Sequence, residues 1–183
     1  MSARHSIPPQ IEPPALALLN DPIDFFFAEH FRQRTVCNLL ELLAAAESLD
    51  QAMAGEVLSF LKHDLSLHVQ DEEEDLFPLL RRRCLPEDAI ERVLAALTAE
   101  HAADRLLAET MVSGLQHALR GKASVVSRTR LRAAMRDFAR NERRHLALEN
   151  AVMLPLARRR LTDRDLTMLT VRMWWRRRPV ALG

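Results

Sequence analysis

Residues 68–83 read HVQDEEEDLFPLLRRR, and residues 145–160 read HLALENAVMLPLARRR. Both copies place a glutamate four residues after the histidine (Glu72, Glu149), a proline ten after it (Pro78, Pro155) and an arginine triplet at the end (81–83, 158–160). A shorter echo precedes each copy. Ala28-Glu29-His30 is followed by Arg34, and Ala99-Glu100-His101 by Arg105 at the same distance. The chain therefore carries His, His-x3-Glu, His, His-x3-Glu, and the fold follows from asking where those residues meet.

Composition narrows the classes. A chain of 183 residues fits one domain with a sizeable core. Only 4 Gly against 48% hydrophobic residues favours helices over a strand-and-turn protein. The net charge of +1 gives no bulk electrostatic case for nucleic acid. Cys37 and Cys84 form neither a disulfide framework nor a C-x-x-C pair, which points to a reducing cytosol. No apolar run approaches the ~20 residues of a bilayer span or a signal-peptide core, so the expectation is a soluble cytoplasmic protein with no membrane partner.

Along the chain, residues 1–21 form a Pro-rich N-terminal arm (Pro8, Pro9, Pro13, Pro14) with an apolar anchor at 15–19. Asp21-Pro22 reads as cap and first position of a helix over 22–47, with Ile23, Phe26, Phe27, His30, Cys37, Leu40 and Ala44 on one face. Asp50 caps a second helix, whose inward stripe is Val57, Leu61, Leu65, His68, Glu72, Leu76 and Leu79, with Pro78 expected to kink it. Pro86 is expected to open the third, with Ile90, Leu94, Leu97, His101, Ala108, Val112 and Leu115 inward. After the break at 121–124 the fourth carries Leu131, Met135, Phe138, His145, Glu149, Val152 and Leu156. Residues 22–160 are thus the bundle. Residues 161–183 are a short C-terminal helix, capped by Thr162 and Asp165 and stopped by Pro179, with its tail.

Two residues of an antiparallel helical hairpin share a height when the turn falls midway between them. The midpoint of His30 and His68 falls at Leu49-Asp50, that of His68 and His101 at Cys84-Leu85, and that of His101 and His145 at Ala123. All three are expected turns. The fold class is therefore all-α, an up-down-up-down four-helix bundle with four histidines on one level, and i, i+4 spacing puts Glu72 and Glu149 on the same faces. A single histidine on an apolar face is usually a core residue, and a metal-free helical module requires the repeat to be coincidence. Two buried carboxylates, however, cost several kcal/mol each without compensating charge, which divalent metal supplies. Six donors exceed a structural zinc site and suit two ions, with His30, His68, His101 and His145 shared between them and the glutamates placed to bridge. Mixed nitrogen and oxygen donors favour iron, with manganese or a mixed pair also compatible.

These motifs, Glu29-His30, His68-x3-Glu72-Glu73 with Leu76-Phe77-Pro78, Glu100-His101 and His145-x3-Glu149 with Leu154-Pro155, resemble the haemerythrin-like family over residues 22–160. The resemblance implies a non-haem di-iron centre held by those four histidines with Glu72 and Glu149 bridging. The oxygen-carrying members have a further histidine one turn on in the third helix, where Arg105 stands here, and a last bridge that is an aspartate five residues after its histidine rather than Glu149 at four. A more symmetric site with an open position, or a water, on each metal follows.

Glu73, about 100° from Glu72 around the helix, is left outside the ligand set. Arg34 and Arg105 read as interface salt bridges or as partners of the bridging carboxylates. His5, His63 and His117 read as surface residues, and the other acids of Asp71 to Asp75 as a solvated face. The expected function is to bind or sense O2, NO or iron, with no catalytic residue outside the metal set. The alternative is a di-iron oxidase or peroxidase acting on O2 or hydrogen peroxide, without a tyrosyl radical since the chain has no Tyr. The arm and the fifth helix are expected to emerge at the same end of the bundle, where the arginine triplets 81–83, 158–160 and 176–178 read as helix capping around a fifth helix packed by Trp174 or Trp175, or as a basic surface for a protein partner or a second copy of the chain.

Overall fold

Asp21 accepts hydrogen bonds from the amides of Ile23 and Asp24, and with Pro22 at the first helical position it starts α1 (Pro22–Ala45) where the sequence predicts. In the computed structural model, which describes residues 11–178, α1 is followed by α2 (51–83), α3 (Ile90–Leu119), α4 (125–160) and α5 (Asp163–Arg176). No strand occurs among the described residues. Asp50 caps α2, Ser124 caps α4, and Thr162 and Asp165 form a reciprocal cap on α5. Each of the first four helices packs against its chain neighbours, and α4 closes on α1, giving the up-down-up-down bundle. None of the described helices is long and apolar enough to cross a membrane.

The prolines of α2 and α4, Pro78 and Pro155, are accommodated by a widened turn of helix. Each sits just beyond a π-helical turn, Asp71–Leu76 in α2 and Glu149–Met153 in α4. Proline has no amide hydrogen, and its ring would meet the carbonyl four residues back if the α-ladder continued. The ladder instead lengthens, so that the Phe77 amide donates to the Glu72 carbonyl and the Leu154 amide to the Glu149 carbonyl. The extra residue turns the following stripe. Met153, Leu154 and Ala157 face the core in place of the expected Val152 and Leu156, which are half-buried.

Other expectations shift for local reasons. α3 starts at Ile90 rather than Pro86, because Pro86–Asp88 forms a 3-10 turn that Asp88 locks by accepting from the Leu85 amide, and Ala89 then takes a left-handed φ of 49°. Of the stripe expected to face inward in α1, Phe27 is exposed, and Phe25 is buried in its stead under the Arg177 guanidinium, 4.8 Å from its ring centroid. The acidic run is not a solvated face. Asp71 and Asp75 are buried, and α5 lies over them, with Arg176 and Arg177 pairing Asp71 and Arg172 and Arg176 pairing Asp75; only Glu74 is exposed.

The arm and α5 do meet. Leu16–Asn20 forms a 3-10 turn whose Leu19 is buried, and the Thr170 hydroxyl donates to the Leu19 carbonyl at 2.7 Å. Ile11 is buried farther along, its carbonyl accepting two bonds from Arg32. Pro8, Pro9, His5 and Pro179 lie outside the described residues. The arginine triplets are spent largely on internal pairs: Arg81 with Glu91, Arg82 and Arg83 with Asp165, Arg158 with Asp21 and Asp24, Arg159 and Arg160 with Asp88.

Two separate apolar cores result. One, around Val36, Leu40, Val57, Met111, Leu115 and Phe138, fills the end near the 46–50 and 120–124 turns. The other, around Phe26, Leu76, Leu80, Leu97, Met153 and Leu169, fills the end where α5 sits. The polar layer lies between them. The buried Arg177 guanidinium pairs both Asp71 and Glu29 and covers the Phe25 ring, so Arg177→Ala, which removes all three contacts, is expected to cost about 3 kcal/mol in denaturant unfolding. Arg172→Ala, at a half-exposed guanidinium whose partner Asp75 keeps Arg176, is expected to cost under about 1 kcal/mol.

Candidate metal centre

The midpoint geometry holds. His30, His68, His101 and His145, one from each of α1 to α4, are buried on one level of the bundle with Glu72 and Glu149 fully buried between them. Their donor atoms form two groups, His30, His68, Glu72 and Glu149, and His101, His145, Glu72 and Glu149, each within 4.8 Å of one another. The glutamates belong to both. Oε1 of Glu72 lies 3.5 Å from His68 Nε2 and 3.9 Å from His30 Nε2, while its Oε2 lies 3.3 Å from His101 Nε2. Oε2 of Glu149 lies 3.4 Å from His30 Nε2, and its Oε1 lies 3.0 Å from His145 Nε2. Each carboxylate thus turns one oxygen to each histidine pair.

All four carboxylate oxygens, with Nε2 of His30 and of His68, are buried without a hydrogen-bond partner. Buried polar atoms are nearly always satisfied, so six unsatisfied donors aimed at two common points are the geometry a pair of cations completes. The donor set fits such a pair. The groups that aim these atoms form a ring of hydrogen bonds around the bundle. Nδ1 of His68 donates to Glu29 on α1 at 3.0 Å, Nδ1 of His101 to Glu73 on α2 at 2.8 Å, Nδ1 of His145 to Glu100 on α3 at 2.9 Å, and Nδ1 of His30 to Asn150 on α4 at 2.8 Å. Each helix orients the histidine of the next. A donated Nδ1 proton leaves the Nε2 lone pair facing the centre, which fixes the tautomer a metal needs. Phe26 packs edge-on to His68 at 5.8 Å, and the Phe77 ring stacks on His101 at 6.1 Å, holding the imidazole planes and keeping water off them.

The orienting residues are what the sequence reading missed. Glu29 and Glu100 stand directly before His30 and His101 in the short echoes, and Glu73 and Asn150 directly after Glu72 and Glu149 in the long ones, so position within the repeat was the available signal. Glu73 lies in neither donor group, yet it serves the site through His101. Arg34 and Arg105 take neither expected role, since both are exposed and form no ion pair among the described residues. His63 and His117 are exposed.

The electrostatics are those of a charged, buried layer. Burial raises Glu72, but the His68, His101 and His30 rings outweigh it and hold the carboxyl well below the ordinary range. Burial works against a charged ring at His68 and at His145; the Glu72 charge and the Glu29 hydrogen bond overcome it at the first, the Glu149 carboxylate 3.0 Å away at the second, and both are raised to about 10. A proton and a cation therefore compete for the same Nε2 lone pairs.

A four-helix bundle whose core presents two carboxylate-linked donor sets defines a cation-binding bundle. The family model described as the Hemerythrin HHE cation binding domain matches residues 21–157, and the chain belongs to that family. No curated protein matches the chain.

His68→Ala or Glu149→Ala is expected to abolish binding of the second cation, and His63→Ala or His117→Ala to leave metal content unchanged, with circular dichroism helical in all four. Glu73→Ala and Glu100→Ala are expected to keep the stoichiometry and weaken affinity by about 10- to 100-fold, read by competition with a chelator. Because His68 and His145 are raised, they hold protons at neutral pH that a cation must displace. Affinity for a divalent ion should therefore rise with pH, roughly tenfold per unit for each proton released, and fall in acid. Calorimetry in buffers of different ionisation enthalpy reads that release.

Proposed function

We propose that the chain is a non-haem di-iron protein that binds a small diatomic, O2 or NO, at the paired centre and reports that binding or the iron supply. One observation carries this reading: Glu72 and Glu149 each offer one oxygen to each histidine pair, an arrangement suited to two bridged ions rather than one. Membership in a cation-binding family supports it, as does the mixed nitrogen and oxygen donor set, which suits iron and is compatible with manganese or a mixed pair. Bound iron would supply a one-electron couple at each ion and coordination positions beyond those the protein fills.

The protein's own contribution is to bind and to orient. Glu29, Glu73, Glu100 and Asn150 hold the imidazoles by Nδ1, and the two apolar cores exclude water above and below the layer. A cavity of about 680 Å³ between α2 and α3 reaches His68, His101 and His145. That volume far exceeds what a diatomic needs, which favours an oxidase or peroxidase as the second reading.

Anaerobic reconstitution is expected to return two iron ions per chain, one for each donor group. Reduced protein given O2 or NO should then settle into one stable oxidised or adduct spectrum. One tightly held zinc and no iron would overturn the di-iron reading. Repeated consumption of O2 or peroxide, with electrons supplied, would replace the binding reading with the oxidase one.

A further inference from the structure

The apolar packing is interrupted a second time, one turn from the metal layer toward the end that holds the 46–50 and 120–124 turns. Gln33 on α1, Asp104 on α3 and Glu142 on α4 each stand three residues from a ligand histidine on that side, and all three are buried. They are poorly partnered. Gln33 Oε1 has no partner, Asp104 accepts one 3.3 Å bond from Asn141, and Glu142 forms no hydrogen bond or ion pair among the described residues. Unpaired buried acids cost several kcal/mol unless something neutralises them.

Asp104 and Glu142 both line the 680 Å³ cavity, with Leu61, Leu65 and Val112 supplying apolar wall. Its size is that of pockets for organic molecules, about 300–1,000 Å³, in which a few polar groups set orientation within an apolar lining. The rim cations Lys62 and Arg105 are exposed, and no ion pair joins them to either acid among the described residues. Nor do these acids belong to a third group of metal donors there. Burial foremost raises both carboxyls, Glu142 to about 7, and outweighs the opposing pull of the His145 charge on each.

We propose that the cavity is a binding site for a small organic cation, an ammonium on an apolar body, with its head group between Asp104 and Glu142 and its body against Leu61, Leu65 and Val112. The ammonium supplies the charge and donors that the two acids lack. The apolar body takes the wall that a hydrated metal ion would leave bare. Binding depends on the cavity alone. That this class is the substrate of an oxidase rests further on the paired metal centre, since its occupant lies beside His101 and His145.

Titration calorimetry of the full chain with benzylammonium, benzyl alcohol and benzoate tests the assignment, in metal-free and manganese-loaded protein. Benzylammonium is expected to bind at least about tenfold tighter than the alcohol, and benzoate not measurably, in both forms. Glu142→Gln combined with Asp104→Asn should bring ammonium and alcohol to equal affinity, and Val112→Trp should weaken both, with circular dichroism unchanged. Equal affinities in the unsubstituted protein, a preference that survives the double substitution, or no binding of either probe would overturn the proposal. Binding by metal-free protein alongside failure to load two metals would sink the di-iron reading and leave this site standing.

Discussion

Two carboxylates buried at the centre of a helical bundle are the constraint on which the rest of this structure depends. Glu72 and Glu149 have no exposure, and no hydrogen bond satisfies their oxygens. Such groups persist in a fold only when paired with positive charge, and here the pairing comes from four imidazoles and the cations they can help hold. The histidines alone meet the requirement by taking up protons, which is why His68 and His145 are pushed so far above the ordinary imidazole range. Cations meet it with fixed geometry.

Holding that geometry requires more than six side chains. The π-turns after Glu72 and Glu149 lengthen the helix at the prolines and rotate Met153 and Leu154 beneath the layer, so the core closes directly under the ligands. The ring of Nδ1 hydrogen bonds passes from helix to helix, so each imidazole is fixed by a neighbour and the four helices are tied in register at one height. α5 enters the same network. Arg177 reaches Asp71 at 2.6 Å and Glu29 at 3.4 Å, and Glu29 orients His68, so the outer helix touches the metal layer through one intermediary.

The bundle and its six donors were legible because both rest on spacing. Repeats at fixed intervals and turns at their midpoints determine which residues share a level, whatever the details of packing. What was not legible depended on contacts between distant segments. The burial of Asp71 and Asp75 follows from where Arg172, Arg176 and Arg177 land, which no local pattern in the acidic run reveals. Likewise, the role of Glu73 depends on a histidine in another helix; its angle from Glu72 excluded it as a ligand, and the same angle carries it to His101. The phase shift at Val152 and Leu156 came from reading a uniform helical period across a proline that a wider turn accommodates.

The central claim, that two metals share Glu72 and Glu149, is tested most directly by the magnetic state of the iron in reconstituted, oxidised protein, measured by low-temperature Mössbauer spectroscopy. Bridging carboxylates couple neighbouring ions, so the account predicts one population in which both irons sit in a coupled, diamagnetic pair. Iron found as separate paramagnetic ions, at full loading of an intact bundle, would contradict it.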